Sequence, residues 1–327
     1  MEVSNQSRRA ALLAALAFGA ASLAGAQEAF PARPIAIIVP AAAGGYSDVT
    51  ARLVAQALTR DLGQSVIVDN RAGGTGLIGM QAVARAQPDG YTLGWGGNSP
   101  LVIVPYLRKA PPYDPLRAFS PISMGTTSPY IIAVSPTSSV RTLPELLAQG
   151  KANPGKLSYA TSGVGGTSHL ATELLGRMAG IQTLHIPFKG GSENATSVIA
   201  GHVDFPVDAS ASLLPLINGG KLRALAVTGD RRMPQLPDVP TVAEQGLAGY
   251  RVETFIALLG PAGVPQPVID KLAGAMQRVL AQPAMSEAFL KAGAFAVSSS
   301  PQELNRVLHA DADKWQKMIR EVGIPME

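Results

Sequence analysis

The chain has 327 residues with 27 Lys plus Arg against 23 Asp plus Glu, a formal net charge of +4, yet only 15% of its residues are charged. No basic run with interleaved aromatics accompanies the cationic excess, which excludes a nucleic-acid-binding class. The complete lack of cysteine excludes disulfides, thiolate metal sites and lipoprotein acylation.

Arg8 and Arg9 precede an apolar stretch at 10–23 and the small-residue triplet Ala24-Gly25-Ala26. This is the pattern of a secretory signal peptide cleaved after Ala26. The arginine pair leaves both general and twin-arginine export open. The apolar stretch is too short to span a bilayer and no later run reaches ~20 residues, so the expectation is an exported, periplasmic protein without an anchor. Cleavage would leave about 300 residues, more than one hydrophobic core accommodates.

Ile35, Ile37, Ile38 and Val39 read as a buried strand, Pro40 to Gly45 as a turn, and 47–62 as a helix. Further strands are predicted at 65–69, 92–95, 130–134, 157–160, 203–207, 222–228 and 252–259. Helices are predicted at 77–86, 143–153, 168–178, 195–200, 267–281, 285–292 and 301–322. Strands alternating with helices predict an α/β protein with largely parallel sheets. Two extended stretches, 119–134 and 250–261, read as crossings between domains. They predict a discontinuous first domain, 27–125 with 250–327, and an inserted second domain, 126–249, joined by a two-strand hinge able to close over a ligand.

One plan occurs twice in this order of elements. The strand at 157–160 is followed by a small-residue turn from Thr161 to Gly166 and then a helix, as the strand at 35–39 is followed by Pro40 to Gly45 and a helix. Turns of this kind leave backbone N–H groups unpaired at a helix start, where the macrodipole also favours negative charge. Two such turns facing each other would hold an anion. Neither contains Lys or Arg, so helix ends and hydroxyl groups must supply the donors.

Enzyme motifs fail on context. Gly74-Thr75-Gly76-Leu77-Ile78-Gly79 matches G-x-G-x-x-G, but it follows the second strand and no acidic residue ends the next one, so tight strand-to-helix packing is the reading. Gly45-Tyr46-Ser47-Asp48-Val49 misses the nucleophile elbow by its last residue. His169 and Glu173 at helical spacing lack a third ligand, and His185, His202 and His309 do not cluster in sequence. No cofactor, metal or catalytic centre is predicted.

The motifs along nearly the whole chain resemble the Bug family, the TctC-like solute receptors of tripartite tricarboxylate transporters. They run from Arg33-Pro34, Pro40, Gly44-Gly45 and Asp48 through Asn70-Arg71, Gly73, Gly76 and Pro88-Asp89-Gly90-Tyr91. They continue with Tyr113-Asp114-Pro115, Thr161-Ser162-Gly163, Gly165, Thr167-Ser168-His169 and Lys189-Gly190-Gly191, and end at 222–228 and Leu236-Pro237-Asp238-Val239-Pro240-Thr241. The resemblance implies a two-domain periplasmic-binding-protein (Venus flytrap) fold, with mixed sheets flanked by helices, and a receptor that closes on a small di- or tricarboxylate or related organic acid and delivers it to membrane permease subunits. It assigns ligand contact to Ala43, Gly44, Gly45, Tyr46, Ser47 and Asp48 in the first loop, and to Ser162, Gly165, Gly166, Thr167, Ser168 and His169 in the second. Asn98, Ser99 and Asp208 are expected to line the walls. Asp48 also reads as a helix cap, because a carboxylate aimed at an anion would repel it. Ala41, where relatives carry an aromatic residue, leaves space that Tyr46 is placed to fill; Ala72, Phe188, Glu193 and Phe255 also depart from the pattern. The expected state is a monomer. The alternatives are a receptor that presents its ligand to a membrane sensor and a hydrolase or lyase acting on a small carboxylate.

Overall fold

A continuous apolar run has no polar face to turn to water, and β1 (Ile35–Val39) accordingly lies at the centre of a parallel set, its Ile35, Ile37, Ile38 and Val39 all buried. It pairs in parallel with β2 (Val66–Asn70) on one side and with β3 (Thr92–Gly97) on the other. Helices α1 (Tyr46–Leu62) and α2 (Leu77–Ala84) make the connections. The computed structural model of the protein describes residues 30–161, 163–188, 191–324 and 326. The expected signal segment at 1–26 and the expected contact residue Ser162 lie outside the described residues.

A second parallel set joins β5 (Leu157–Thr161) to β6 (Thr183–Pro187) and to β7 (Phe205–Ala209). Between the two sets runs an antiparallel spine formed by the two stretches expected to cross between domains. It consists of the sixteen-residue β4 (Phe119–Val134) and β9 (Glu253–Pro261). β9 pairs with β3 and with β4 as far as Pro129, opposite Glu253. From Tyr130 onward, β4 pairs instead with β7 and with β8 (Arg223–Val227). The sheet order is β2-β1-β3-β9-β4-β7-β5-β6, with β8 and β10 (Phe295–Ala296) also on β4. The sheet is therefore mixed, because the two long extended stretches find each other as antiparallel partners.

The remaining helices are α3 (Leu143–Ala152), α4 (Thr167–Ala179), α5 (Gly191–Ile199), α6 (Ser210–Asn218), α7 (Gln266–Leu280), α8 (Pro283–Lys291) and α9 (Pro301–Val322). Sequence reading missed α6, which carries Pro215 inside it and so lacks an uninterrupted helical signal. It also missed the single turns at Ser99–Ile103 and Val104–Leu107, which are too short for periodicity to reveal.

Trp95 on β3 is fully buried and its indole N–H donates to Thr50 of α1 at 3.1 Å. β4 crosses its ring at Gly125, where an added Cβ would lie 1.9 Å from the Trp95 Cη2. Glycine is thus required there by close approach rather than by backbone angle. This contact fixes the strand that carries Thr126 and Tyr130 against the strand that leads to Asn98 and Ser99.

Candidate ligand-binding site

Helix starts differ in how their free N–H groups are treated. α3 is capped by Thr142, whose hydroxyl accepts from the Glu145 N–H, and α9 by a reciprocal Ser300–Glu303 capping box. α1 and α4 have glycine, Gly45 and Gly166, at the N-cap, so the cap residue offers no side chain. Their first-turn donors stand at the mouth of a cavity.

The two glycine turns have the same backbone geometry. Gly44 and Gly165 lie in the left-handed region at φ +79° and +75°. Gly45 and Gly166 follow in extended conformations, φ −80° with ψ 173° and φ −72° with ψ 163°. In each turn the N–H of the first glycine bonds to the side chain four residues on: Gly44 to the Asp48 carboxylate at 2.8 Å, and Gly165 to His169 Nδ1 at 3.1 Å. The helices then open alike, Val49 donating to the Gly45 carbonyl and Leu170 to the Gly166 carbonyl.

Between the turns lies a cavity of about 180 Å³. Its lining includes Pro40, Tyr46 and Ser47 from the first segment, Thr75, the run from Gly97 to Pro100, Tyr130 from β4, Thr167 from α4, and Thr254 and Ile256 from β9. Of the residues expected from sequence, Tyr46, Ser47, Asn98, Ser99 and Thr167 meet there. Ala43, Gly44 and Gly45 are solvent-exposed in the first turn, beside the lining side chains. Ser168 is buried behind Thr167, and Gly165 is covered by Leu107, whose Cδ1 stands where its Cβ would be. Tyr46 does lie along the cavity, whereas Ala41 does not.

Three expected residues spend their polar atoms inside the fold. Asp48 is buried, accepts from Gly44 and pairs with Arg52 at 3.0 Å, and these bonds hold its carboxyl below the usual carboxylate range despite burial. Asp208 accepts from the Asn194 side chain at 2.8 Å and from the Ala209 N–H at 2.7 Å. His169 turns away from the cavity into a stack with His185, ring centroids 4.0 Å apart, over which Tyr159 lies against His185 at 4.9 Å. Burial lowers both imidazoles to about 4, so at neutral pH both are uncharged.

Asn98 is a wall residue with a load. Its Oδ1 accepts from the Phe255 N–H at 2.7 Å and the Thr254 hydroxyl at 3.1 Å, while its Nδ2 donates to Asp311 of α9 at 2.8 Å. Thr75, Tyr130 and Thr254 were not anticipated. Thr75 carried one local signal, its place between Gly74 and Gly76, and it is held at φ +54°, a strained angle for a β-branched residue. The glycines around it serve packing: an added Cβ on Gly76 would stand 3.0 Å from Pro100, and one on Gly79 2.8 Å from Pro40.

Among the described residues, the lining carries no charged side chain. Tyr46 donates to or accepts from the Thr126 hydroxyl at 3.0 Å, and Ser99 and Thr167 meet at 3.4 Å. Burial pushes the pKa of the Tyr46 and Tyr130 phenols well above the ordinary tyrosine value, so both keep their protons and remain donors. Such a pocket can receive an anion through N–H and O–H groups without an ion pair. A larger cavity of about 650 Å³ lies beyond Thr254, where Arg251 pairs with Glu253 and Lys314 donates to the Arg251 carbonyl.

Residues 50–324 match the sequence profile of the tripartite tricarboxylate transporter family receptor, TctC. The chain belongs to this family. It is 37% identical over 295 residues to a UPF0065 protein from the tcbD-tcbE intergenic region of Pseudomonas sp. strain P51, covering 90% of this chain and 88% of that one. Among solved structures it is similar to periplasmic binding protein BugD, with a TM-score of 0.79 at 33% identity, covering 91% of this chain and all of that one. It is also similar to Rpa4515 of R. palustris with adipate, with a TM-score of 0.83 at 30% identity over 90% of this chain and 99% of that one. The expected α/β periplasmic-binding-protein fold is thus the observed one. As a TctC-family protein the chain is a solute-binding receptor, not an enzyme.

Proposed function

We propose that this receptor captures a small di- or tricarboxylate in the cavity between its two glycine turns and hands it to the membrane permease of a tripartite transporter. The observation that carries the reading is the paired, side-chain-uncapped helix starts of α1 and α4 around an uncharged, hydroxyl-lined cavity. Backbone N–H groups at Gly45 to Ser47 and at Gly166 to Ser168 would bind the carboxylate oxygens, with Ser47, Ser99, Thr167 and Tyr130 hydroxyls completing the shell. The adipate seen with Rpa4515 fits this donor set, since a linear dicarboxylate presents one charged end to each turn.

Two further parts belong to the same proposal. The chain is exported and cleaved after Ala26, and its residues 27–125 with 250–327 form one lobe and 126–249 the other, hinged on β4 and β9. Support for the lobes is the change of partner along β4, from β9 before Tyr130 to β7 and β8 after it. The test is a thermal-shift panel of mono-, di- and tricarboxylates including adipate. Ligand at ~100 times its dissociation constant stabilises by about 2.7 kcal/mol, a readily measured shift. A panel in which only sugars or cations move the melt would overturn the reading.

A further inference from the structure

We propose that His169 is a positioning residue whose uncharged ring locks the second glycine turn in its anion-receiving shape, so that acidification unlocks this turn alone. The inference rests on the binding role proposed above only for its consequence, the loss of capture at low pH. The lock itself is geometric. A backbone N–H can only donate, so the 3.1 Å bond from Gly165 requires a lone pair on His169 Nδ1 and places the ring proton on Nε2.

The counterpart in the first turn is Asp48, at the same spacing from Gly44. The two locks differ in charge. Asp48 is anionic and is balanced by Arg52 at 3.0 Å. His169 does the same mechanical work without charge, which keeps a second carboxylate away from the place where an anion is received.

The groups packed around the His169 ring explain why it stays uncharged. From β6, His185 stacks on it; from β5, Tyr159 lies 6.3 Å away and parallel; from α4 itself, Glu173 stands 3.9 Å from Nε2. The Glu173 carboxylate is occupied by the Tyr159 hydroxyl at 2.5 Å. His185 Nε2 lies 2.5 Å from the Thr161 hydroxyl, which in turn accepts from the Gly163 N–H at 3.3 Å. The stacked pair therefore holds the turn at two points, Gly163 through Thr161 and Gly165 directly. A proton on His169 Nδ1 would set two donors against each other and place a cation on the face of His185. Burial holds the ring near pH 4 in the folded chain against an ordinary value of 6.5. Any opening that frees the ring lets it take up a proton below that ordinary value. The open fraction then grows up to about tenfold per pH unit as pH falls from 6.5 towards 4.

The experiment is nitrogen-15 NMR of the mature chain without ligand, reading the His169 ring nitrogens and the exchange protection of the Gly165 amide from pH 7.5 to 4. The expected ring is the Nε2–H tautomer, with Gly165 protection falling by up to about tenfold per pH unit below ~6.5. H169N, whose amide oxygen can accept as the Asp48 carboxylate does, should restore protection and make it independent of pH. H169A should lose protection throughout. An Nδ1–H tautomer, or protection that follows pH identically in the parent and H169N, overturns the lock. Adipate calorimetry on the same samples tests the consequence: affinity should fall with pH in the parent and stay flat in H169N. Adipate affinity that stays flat in the parent while Gly165 unlocks overturns the link to capture. If adipate binds at no pH, the carboxylate reading fails, and the ring and amide data alone still decide the lock.

Discussion

The hydroxyl oxygens of Ser99 and Thr167 stand 3.4 Å apart across the cavity, joining the chain after β3 to the first residue of α4. Both belong to the uncharged lining, so each hydroxyl can turn from its neighbour to a bound carboxylate. Thr167→Val keeps the shape and removes the donor. Affinity for a carboxylate should fall by roughly 0.5–1.5 kcal/mol, rising to about 3 if the lost bond was charge-assisted. Calorimetry on the variant decides it, and unchanged affinity would place the ligand away from α4.

Charge placed at the turns should act more strongly. Gly45 and Gly166 have ordinary backbone angles, and an added Cβ meets nothing closer than 3.5 Å at the first and 3.6 Å at the second. Gly45→Asp and Gly166→Asp therefore put a carboxylate where the ligand's own charge belongs without straining the fold. Binding should be abolished in both while circular dichroism stays native. Retained binding in both would reduce the turns to ordinary helix starts. Ser168→Ala, behind the lining, should be milder, at about 0.5–1.5 kcal/mol.

How far the sequence reached follows the range of the signals involved. The first turn was legible because its strand, glycines and amphipathic helix are contiguous, and the second because it repeats the plan. Tyr130 and Thr254 were hidden, since what brings them to the cavity is the antiparallel pairing of β4 with β9, between segments far apart in the chain. Asp208 and His169 have the residue types of ligand contacts, but their orientation depends on Asn194 and His185, which local pattern does not reveal.

Gly125 offers a test of the frame rather than of the site. A Cβ 1.9 Å from the Trp95 ring cannot be absorbed without moving β4 or the indole, and the indole is tied to Thr50. Gly125→Ala should destabilise by at least the upper part of the ~1–3 kcal/mol range for overpacked cores. A urea midpoint equal to that of the parent would show that β4 does not press on Trp95.

The lock of the first turn should titrate differently from that of the second. The Asp48 carboxyl is held below the usual carboxylate range, chiefly by the hydrogen bond from Arg52, with the Gly44 N–H adding to it against the cost of burial. A depressed carboxyl stabilises the folded state fully above its unfolded value of 3.8, and that contribution is lost as pH falls through the lower folded value. Asp48→Asn keeps an acceptor for Gly44 but loses the ionised partner of Arg52. Because Arg52 is more than half exposed, solvent screening leaves the pair worth little, and the part-buried charge-assisted bond from Gly44 adds to it. The variant should be less stable than the parent at pH 7 by about 1 kcal/mol. The gap should narrow as pH falls below 3.8 and close as pH passes through the lower folded value, where the parent's carboxyl takes up its proton and resembles the amide. The histidine stack titrates in both proteins alike, so it cancels from the difference. Urea midpoints at pH 7 and pH 3 check this, and a gap that persists undiminished at pH 3 would mean that Asp48 does not hold the turn through its charge.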